Sequence, residues 1–408
     1  MGTQKGIHEN LIKRDKALQS ARDMIPLLKE RAAETETLGR IHQDTIEDMH
    51  RNGLWRMCQP ARLNGGELDY GTLLETTIEL GRGCGSTAWV FINVACHHWM
   101  LAMWPAAAQD EIWGKDPNTF IASSLIYPAG KAVPVEGGYR LSGRWPFCSG
   151  IDVCDWSMLG AMLVASSEHR DQNATADVPQ PHMIIVPKSS LEILETWQVV
   201  GLIATGSKDV RCDNVFIPGE MALSVHEVKG GPTPGSLVNP SPHYKLPVAG
   251  LFSHLIAAPI IGMATGVYDM CLESFRSRVS TYNKSKLSDH TTTHLRIAEA
   301  GVLLQSARLL LRSNCEEATQ MAEADQIPST EDKVRWRRDA SHAATVAAQA
   351  ANQLNRSVGG SAIYNSNPLQ RHIRDMNVGL SHIGVSWDVN GTEFGRVALG
   401  LEPNNPNV

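Results

Sequence analysis

The chain predicts an α+β fold with a helical N-terminal domain over residues 1–118, a central antiparallel β-barrel domain over 119–235 and a C-terminal four-helix bundle over 236–408. Three observations predict it. Helix-period apolar spacing fills the first hundred or so residues. Short β-branched and aromatic runs, broken by Gly, Pro, Asn and Asp, fill the middle, and long helix-period stretches return after about residue 250.

Residues 9 to 112 read as helices. In LIKRDKALQSARDMIPLLKERAAETE, Leu18, Ile25, Leu28 and Ala32 recur at helical spacing with charges between them. TIEDMHRNGLWRM repeats the pattern and stops at the Pro/Gly/Asn punctuation of QPARLNGGELD. TLLETTIELGRGCGSTAWVFINVACHHWMLAMW reads as a helical pair joined near Gly81, Gly83 and Gly85. From about 119 the runs TFIASSLIYP, AVPVEGGYRLSGRWPFCSG, DWSMLGAMLVA, HMIIVPKSS, EILETWQVV, DVRCDNVFI and MALSVHEV read as strands. No ten-residue helices interleave them, which points to an antiparallel barrel or sandwich and away from a doubly wound sheet, and no GxGxxG follows the first strand. The stretch 231–250, rich in Gly and Pro, is a loop shaping access to a site or a linker. Helices follow over 251–283, 289–322 and 331–358, with a shorter one near 372–386. In the second, Leu295, Ala298, Val302, Ala307, Leu310 and Leu311 alternate with Arg296, Glu299, Arg308 and Arg312; apolar stripes on helices this long also invite subunit contacts.

A formal net charge of -6 leaves no electrostatic footprint for nucleic acid. The eight cysteines are scattered and MGTQKGIHENLIKRDK holds no apolar leader, so they read as free thiols in a reducing, cytoplasmic compartment. No HExxH or short-spaced histidine cluster suggests a metal, and no run of eighteen apolar residues suggests a membrane span.

Four landmarks occur in order: PARLNGGELD, SGRWPFCSGIDVCDW, GSKDVRCDNVFIP and GGSAIYNSNPLQRHIRD. With them the chain resembles the acyl-CoA dehydrogenase superfold over residues 15 to 400. The resemblance implies a flavin between the β domain and the C-terminal helices, in a homotetramer. Where many acyl-CoA dehydrogenases carry their catalytic glutamate, counting from Gly359-Gly360, this chain has Ser366, whose neutral hydroxyl cannot act as the base. Glu273 or Glu299 could serve only if the carboxylate came from another helix. The chain is more similar to the oxygenase components of two-component flavin-dependent monooxygenases, in length, in the RW-F-SG turn and in a late histidine. That resemblance implies reduced FMN or FAD delivered by a separate NAD(P)H-dependent flavin reductase, O2, a C4a-hydroperoxide, and hydroxylation of an aromatic or phenolic substrate. The alternatives are an acyl-CoA dehydrogenase-type flavoenzyme, a flavin N- or S-oxygenase, and a non-catalytic protein that has kept the fold.

The same resemblance nominates site residues. His382, in RDMNVGLSHIGVSWD, matches the late histidine beside the reactive flavin edge, where a neutral imidazole can hydrogen-bond oxygen or accept a phenolic proton. His97 and His98 are adjacent on a helix and point about 100° apart, so at most one faces a given pocket. By its distance ahead of the RW-F-SG turn, His98 is favoured as the substrate-facing acid/base. Ser149 is expected to set a hydroxyl donor against the flavin N5 side, with Trp145 walling the pocket and Ser123 and Ser124 on a flavin- and substrate-facing strand edge. Arg278, or Arg276 as its fallback, is expected to reach cofactor phosphate. His372 reads as a helix-packing residue or cofactor contact, and Arg374 and Asp375 as structural.

Overall fold

The computed structural model describes residues 12–164, 179–280 and 284–405. The helical start expected at 9–11 and the helix end expected at 281–283 lie outside the described residues. Five N-terminal helices run over Arg14–Leu38 (α1), Gln43–Arg51 (α2), Tyr70–Gly81 (α3), Gly85–Leu101 (α4) and Ala106–Trp113 (α5). α1 turns Ala17, Ala21, Met24, Leu28 and Ala32 inward, leaving Leu18 and Ile25 at the half-buried margin of that face. The Asp69 carboxylate accepts the Thr72 N–H and so starts α3 directly after the NGGELD turn. α4 is buried on nearly every side, so its residues are sorted by which neighbour they meet.

The strands are Ile121–Ser124 (β1), Gly130–Val135 (β2), Gly138–Cys148 (β3), Trp156–Leu163 (β4), Gln180–Pro187 (β5), Glu192–Leu194 (β6), Lys208–Pro218 (β7) and Ala222–Ser224 (β8). They form one sheet in the order β6-β7-β3-β2-β4-β5-β8, with β1 also on β4. This corrects the expected antiparallel barrel in two ways. The sheet is mixed, because β1 and β2 both run parallel to β4. It is also open: among the described residues β6 pairs only with β7 and β8 only with β5, and these three-residue end strands do not pair with each other. Closure needs hydrogen bonds between the end strands, and alternation along a sequence reports neither strand direction nor closure.

β1 and β2 behave as a single strand interrupted over Leu125–Ala129. Ile121–Ser124 lie beside Trp156–Leu159 of β4, and Lys131 and Ala132 beside Met162 and Leu163. Gly160 permits the interruption, since a Cβ there would come within 3.0 Å of the Leu125 carbonyl carbon and 2.9 Å of the Tyr127 nitrogen.

Among the described residues the C-terminal part holds three long and two short helices where four were expected: Val248–Ser277 (α6), Thr291–Glu323 (α7), Thr330–Val358 (α8), Pro368–Leu380 (α9) and Trp387–Ala398 (α10). The single short helix expected at 372–386 is broken after Leu380, and His382 sits in the break. α6 is long and apolar enough by composition to cross a membrane, yet 83% of that window is buried inside the protein, where α6 serves as the central helix packed on α3, α4, α8 and α9. On α7 the inward face is Ala300, Leu304, Ala307 and Leu311; Leu295, Val302 and Leu309, seven apart, are exposed on another face.

α3 and α6 cross where Gly81 faces Gly262. A Cβ on Gly81 would lie 2.9 Å from the Gly262 Cα, and one on Gly262 would lie 2.6 Å from the Ile78 carbonyl oxygen. Both obstacles are backbone, so Gly262→Ala must push the helices apart. The expected cost is about 1–3 kcal/mol, read as a lower urea midpoint; an unchanged midpoint would show that the crossing has slack.

Candidate active site

A cavity of about 580 Å³ opens where the interrupted strand, α4, α6 and the end of α9 converge. Its volume falls within the range of roughly 300–1,000 Å³ for small-molecule and cofactor sites. α4 supplies Trp89, Asn93 and His97, spaced four apart on one face, together with Cys96 and Met100. The end of β1 and its interruption supply Ser123, Ser124, Leu125 and Ile126. The turn after β3 supplies Phe147 and Ser149, and the loop before β7 supplies Trp197, Val199, Leu202, Thr205 and Ser207. Phe252 and Ile256 of α6, with Ser381, His382 and Ile383 of the break after α9, close the remaining wall. Among the described residues no Asp, Glu, Lys or Arg lines this cavity.

The structure brings four of the expected residues to it: His382, Ser149, Ser123 and Ser124. His382 Nδ1 accepts the Gly384 N–H at 2.9 Å, so its proton resides on Nε2. The Ser124 hydroxyl donates to the Pro146 carbonyl at 2.6 Å, and Ser123 is bridged to Ser149 through the backbone, so the two serines tie β1 to the turn that carries Phe147. The β3–β7 register breaks between Trp145 and Cys148, and Phe147 takes a left-handed φ of 62°, which turns its ring outward against Trp197.

The structure places most of the other expected residues away from this cavity. His98 does not line the cavity: it is fully buried between the Trp55 and Thr119 carbonyls at 2.9 and 3.2 Å, with Trp113 edge-on to its ring. The turn of about 100° per helical residue gives the cavity to His97 instead. His97 Nδ1 donates to the Ile121 carbonyl at 2.6 Å, leaving Nε2 as an unprotonated acceptor. Trp145 is no wall of the site; it is fully buried inside the sheet, donating from Nε1 to the Gly160 carbonyl at 2.6 Å. Arg276 and Arg278 stand at the far end of α6 from Ile256, about 30 Å away at 1.5 Å per residue, and do not line this chain's cavity. The Ser149 hydroxyl lies 2.8 Å from Ser207 Oγ and accepts the Trp89 indole N–H at 3.3 Å. His372 packs on α6 at Gly266, its Nε2 3.3 Å from the Arg82 carbonyl oxygen. Ser366, Glu273 and Glu299 are all exposed and outside the cavity.

Sequence reading missed Trp89, Asn93, Thr205 and Ser207. The spacing Trp89-Asn93-His97 was a usable signal for a shared helix face, whereas Thr205 and Ser207 sit in a loop whose path no periodicity predicts.

The chain matches the family models for the acyl-CoA dehydrogenase N-terminal domain over residues 13–116 and C-terminal domain over 254–387. It is 33% identical over 380 residues to the flavin-dependent monooxygenase oxygenase subunit HsaA of Rhodococcus jostii, covering 93% of this chain and 97% of that protein. It is 31% identical over 386 residues to the oxygenase component of the FADH(2)-dependent resorcinol hydroxylase of a Rhizobium species, covering 92% of each. The crystal structure of the HsaA monooxygenase from Mycobacterium tuberculosis superimposes with a TM-score of 0.90 at 30% identity, covering 97% of this chain and 100% of that one.

Burial holds His97, His98, His372 and His382 down to about 4 and His254 to about 3, so all five are neutral at pH 7. Burial also lifts Asp375 to about 6, against the bond it accepts from the Leu202 N–H. Unfolded imidazoles protonate near 6.5, above their folded values, so their contribution to stability is complete above about pH 6.5 and lost as pH falls toward 4. Asp375 has the opposite sign: its contribution is present below about pH 4 and lost as pH rises through 6. Five groups outweigh one, each net proton changing stability by about 1.4 kcal/mol per pH unit. The urea midpoint is therefore expected to fall steeply between pH 6 and 4.5, with more than one net proton taken up on unfolding; a flat profile over that interval would contradict the burial of these imidazoles.

Proposed function

The chain belongs to the acyl-CoA dehydrogenase-like family, among its flavin-dependent monooxygenase oxygenase components, and from that premise we propose that it hydroxylates an aromatic or phenolic substrate as the oxygenase component of a two-component flavin monooxygenase. The observation that carries this reading is the cavity itself: two neutral histidines with opposite proton placement, in a lining without an ionised group among the described residues.

The lining fits a flavin. Trp89, Phe147, Trp197 and Ile256 give broad apolar walls for a planar ring, and the hydroxyls of Ser149, Thr205 and Ser207 give it a polar edge. Reduced FMN or FAD, supplied by a separate NAD(P)H-dependent reductase, would provide the two electrons that activate O2 for insertion of one oxygen atom into the substrate. The chain's own groups do the rest. His97 Nε2 accepts the hydrogen bond of a phenolic O–H and so orients the ring. His382 Nε2–H donates into the same cavity from the break after α9, where negative charge on oxygen is stabilised by a donor. The apolar walls of Phe252, Leu255, Ile256 and Met100 exclude water that would divert activated oxygen to hydrogen peroxide. An acyl thioester dehydrogenase is disfavoured, because no carboxylate among the described residues reaches the cavity to remove an α-proton.

The homotetramer belongs to this proposal. The exposed, heptad-spaced Leu295, Val302 and Leu309 of α7 suit a helix of a second copy. The eight buried free thiols are compatible with a cytoplasmic, reducing location.

With reductase, NADH, flavin and a panel of simple phenols, the wild type is expected to couple O2 uptake to hydroxylated product. His97→Ala should bind reduced flavin normally yet lose on the order of 100-fold in hydroxylation rate, with the O2 appearing as hydrogen peroxide. His98→Gln, if folded, should keep its coupling. Anaerobic oxidation of acyl thioesters with an artificial electron acceptor, and no phenol hydroxylation, would refute the proposal. The triple change Leu295→Glu, Val302→Glu and Leu309→Glu should yield smaller assemblies by light scattering; an unchanged mass would remove α7 from the interface.

A further inference from the structure

A row of hydroxyls along one cavity wall ends on a carbonyl, and that end favours one direction for every hydrogen bond in the row. Thr205 Oγ1 lies 2.8 Å from the Leu202 carbonyl oxygen, which can only accept, so Thr205 donates there. Ser207 Oγ lies 2.6 Å from Thr205 Oγ1. The one proton of Thr205 is already committed, so Ser207 is the donor in that contact. Ser149 Oγ lies 2.8 Å from Ser207 Oγ, and by the same count Ser149 donates to Ser207. On its other side Ser149 accepts the Trp89 Nε1–H at 3.3 Å. One lone pair of Ser149 remains for the cavity, and no proton. That direction is the opposite of the donor role expected for Ser149 from its sequence context.

We propose that Trp89, Ser207 and Thr205 are positioning residues that hold Ser149 as an acceptor, making this wall a selector for reduced over oxidised flavin. The inference rests on the reading of the cavity as a flavin site. Two-electron reduction of an isoalloxazine places a hydrogen on a ring nitrogen that the oxidised ring leaves as a bare lone pair. An acceptor wall receives that N–H. Against the oxidised ring it sets lone pair against lone pair, unless the whole row reverses. Reversal turns the Thr205 hydroxyl back toward Ser207 and takes its hydrogen bond away from the Leu202 carbonyl. The row therefore favours the reduced ring by about the worth of one buried hydrogen bond, roughly two- to tenfold in affinity. The anchor resists drift: the same carbonyl accepts the Trp197 Nε1–H at 3.1 Å and the Thr205 backbone N–H at 3.1 Å, and the Leu202 N–H is held by Asp375 Oδ1 at 2.6 Å.

The test measures dissociation constants of FMN and, separately, FAD in both redox states, anaerobically for the reduced form, together with the midpoint potential of the bound flavin. The wild type is expected to bind the reduced form more tightly. Thr205→Val frees the row to reverse and should shrink the reduced-to-oxidised preference roughly two- to tenfold, moving the bound potential negative by up to about 30 mV, the equivalent of tenfold for two electrons. Thr205→Ser keeps the hydroxyl and should keep both values. Ser207→Ala removes the middle link and should act like Thr205→Val, which decides the matter should Thr205→Val not fold. A wild type that binds neither redox state overturns the flavin reading, and the selector with it. A wild type that binds both, with a preference unchanged in Thr205→Val or Ser207→Ala, overturns the selector alone.

Discussion

Leu202 holds a left-handed backbone conformation, φ 53°, at a buried position where sheet, helices and cavity meet. A non-glycine residue in that region is uncommon and persists only when its surroundings over-determine it. Here they do. Its N–H is fixed by Asp375 of α9, while its carbonyl takes three donors, from Trp197 and from the side chain and backbone of Thr205. Arg374, the neighbour of Asp375, donates to the Val200 carbonyl and pairs with Glu36 of α1. The loop that carries Trp197, Thr205 and Ser207 is thereby tied at once to the N-terminal and C-terminal helices. A cavity wall built on a loop acquires the rigidity of the helical layers behind it.

The same logic, in which a distant partner decides what a side chain offers, governs the two histidines. In a lining without fixed charge a buried imidazole stays neutral, and a neutral imidazole has one donor and one acceptor. The Ile121 carbonyl takes the proton of His97 at Nδ1, and the Gly384 N–H occupies the lone pair of His382 at Nδ1. Identical side chains therefore present opposite faces to the cavity. Both partners are backbone groups, one on β1 and one in the break after α9, so this polarity is a property of the fold. It bears on the exchange of the His97 and His98 positions as well, since both ring nitrogens of His98 lie against core carbonyls, the neutral ring donating to one of them, and His98 does not line the cavity.

How much of this was legible in the sequence depended on whether the information was local. Helix positions were readable because apolar spacing is local; even so, α7 carries two apolar faces, and spacing alone merged the inward Ala307 and Leu311 with the outward Leu295 and Val302. The strand runs were readable, but their parallel pairing on β4 and the open ends of the sheet were not, because both are set by partners far along the chain. The turn with Ser149 and the late His382 were found through motif resemblance and do meet at the cavity. Trp145 failed because an indole one residue before a register break can face either way, and the interior of the sheet at Gly130, Gly143 and Gly160 had room for it. The donor or acceptor character of Ser149 was beyond any sequence argument, since it follows from a carbonyl three hydrogen bonds away.

Among the described residues charge is kept out of the cavity lining and paired between helices instead. Arg308 and Arg82 enclose Glu79, and Arg371 and Arg374 hold Glu36, both carboxyls lying below their usual range through those guanidinium contacts despite the upward push of burial. Such pairs brace helix against helix; Glu79 is buried and Glu36 partly exposed, and water reaches both pairs through the partly exposed guanidiniums. Inside, a fixed charge would draw water toward the reacting oxygen and raise the share lost as peroxide. A neutral lining also limits which reactions the site can stabilise. Removing an α-proton from a thioester builds an enolate, which needs a carboxylate base and strong donors together, and the described lining has no such base. A phenol brings its own proton, its own electron-rich ring and no net charge, so one acceptor nitrogen and one donor nitrogen in the same lining suffice to place it.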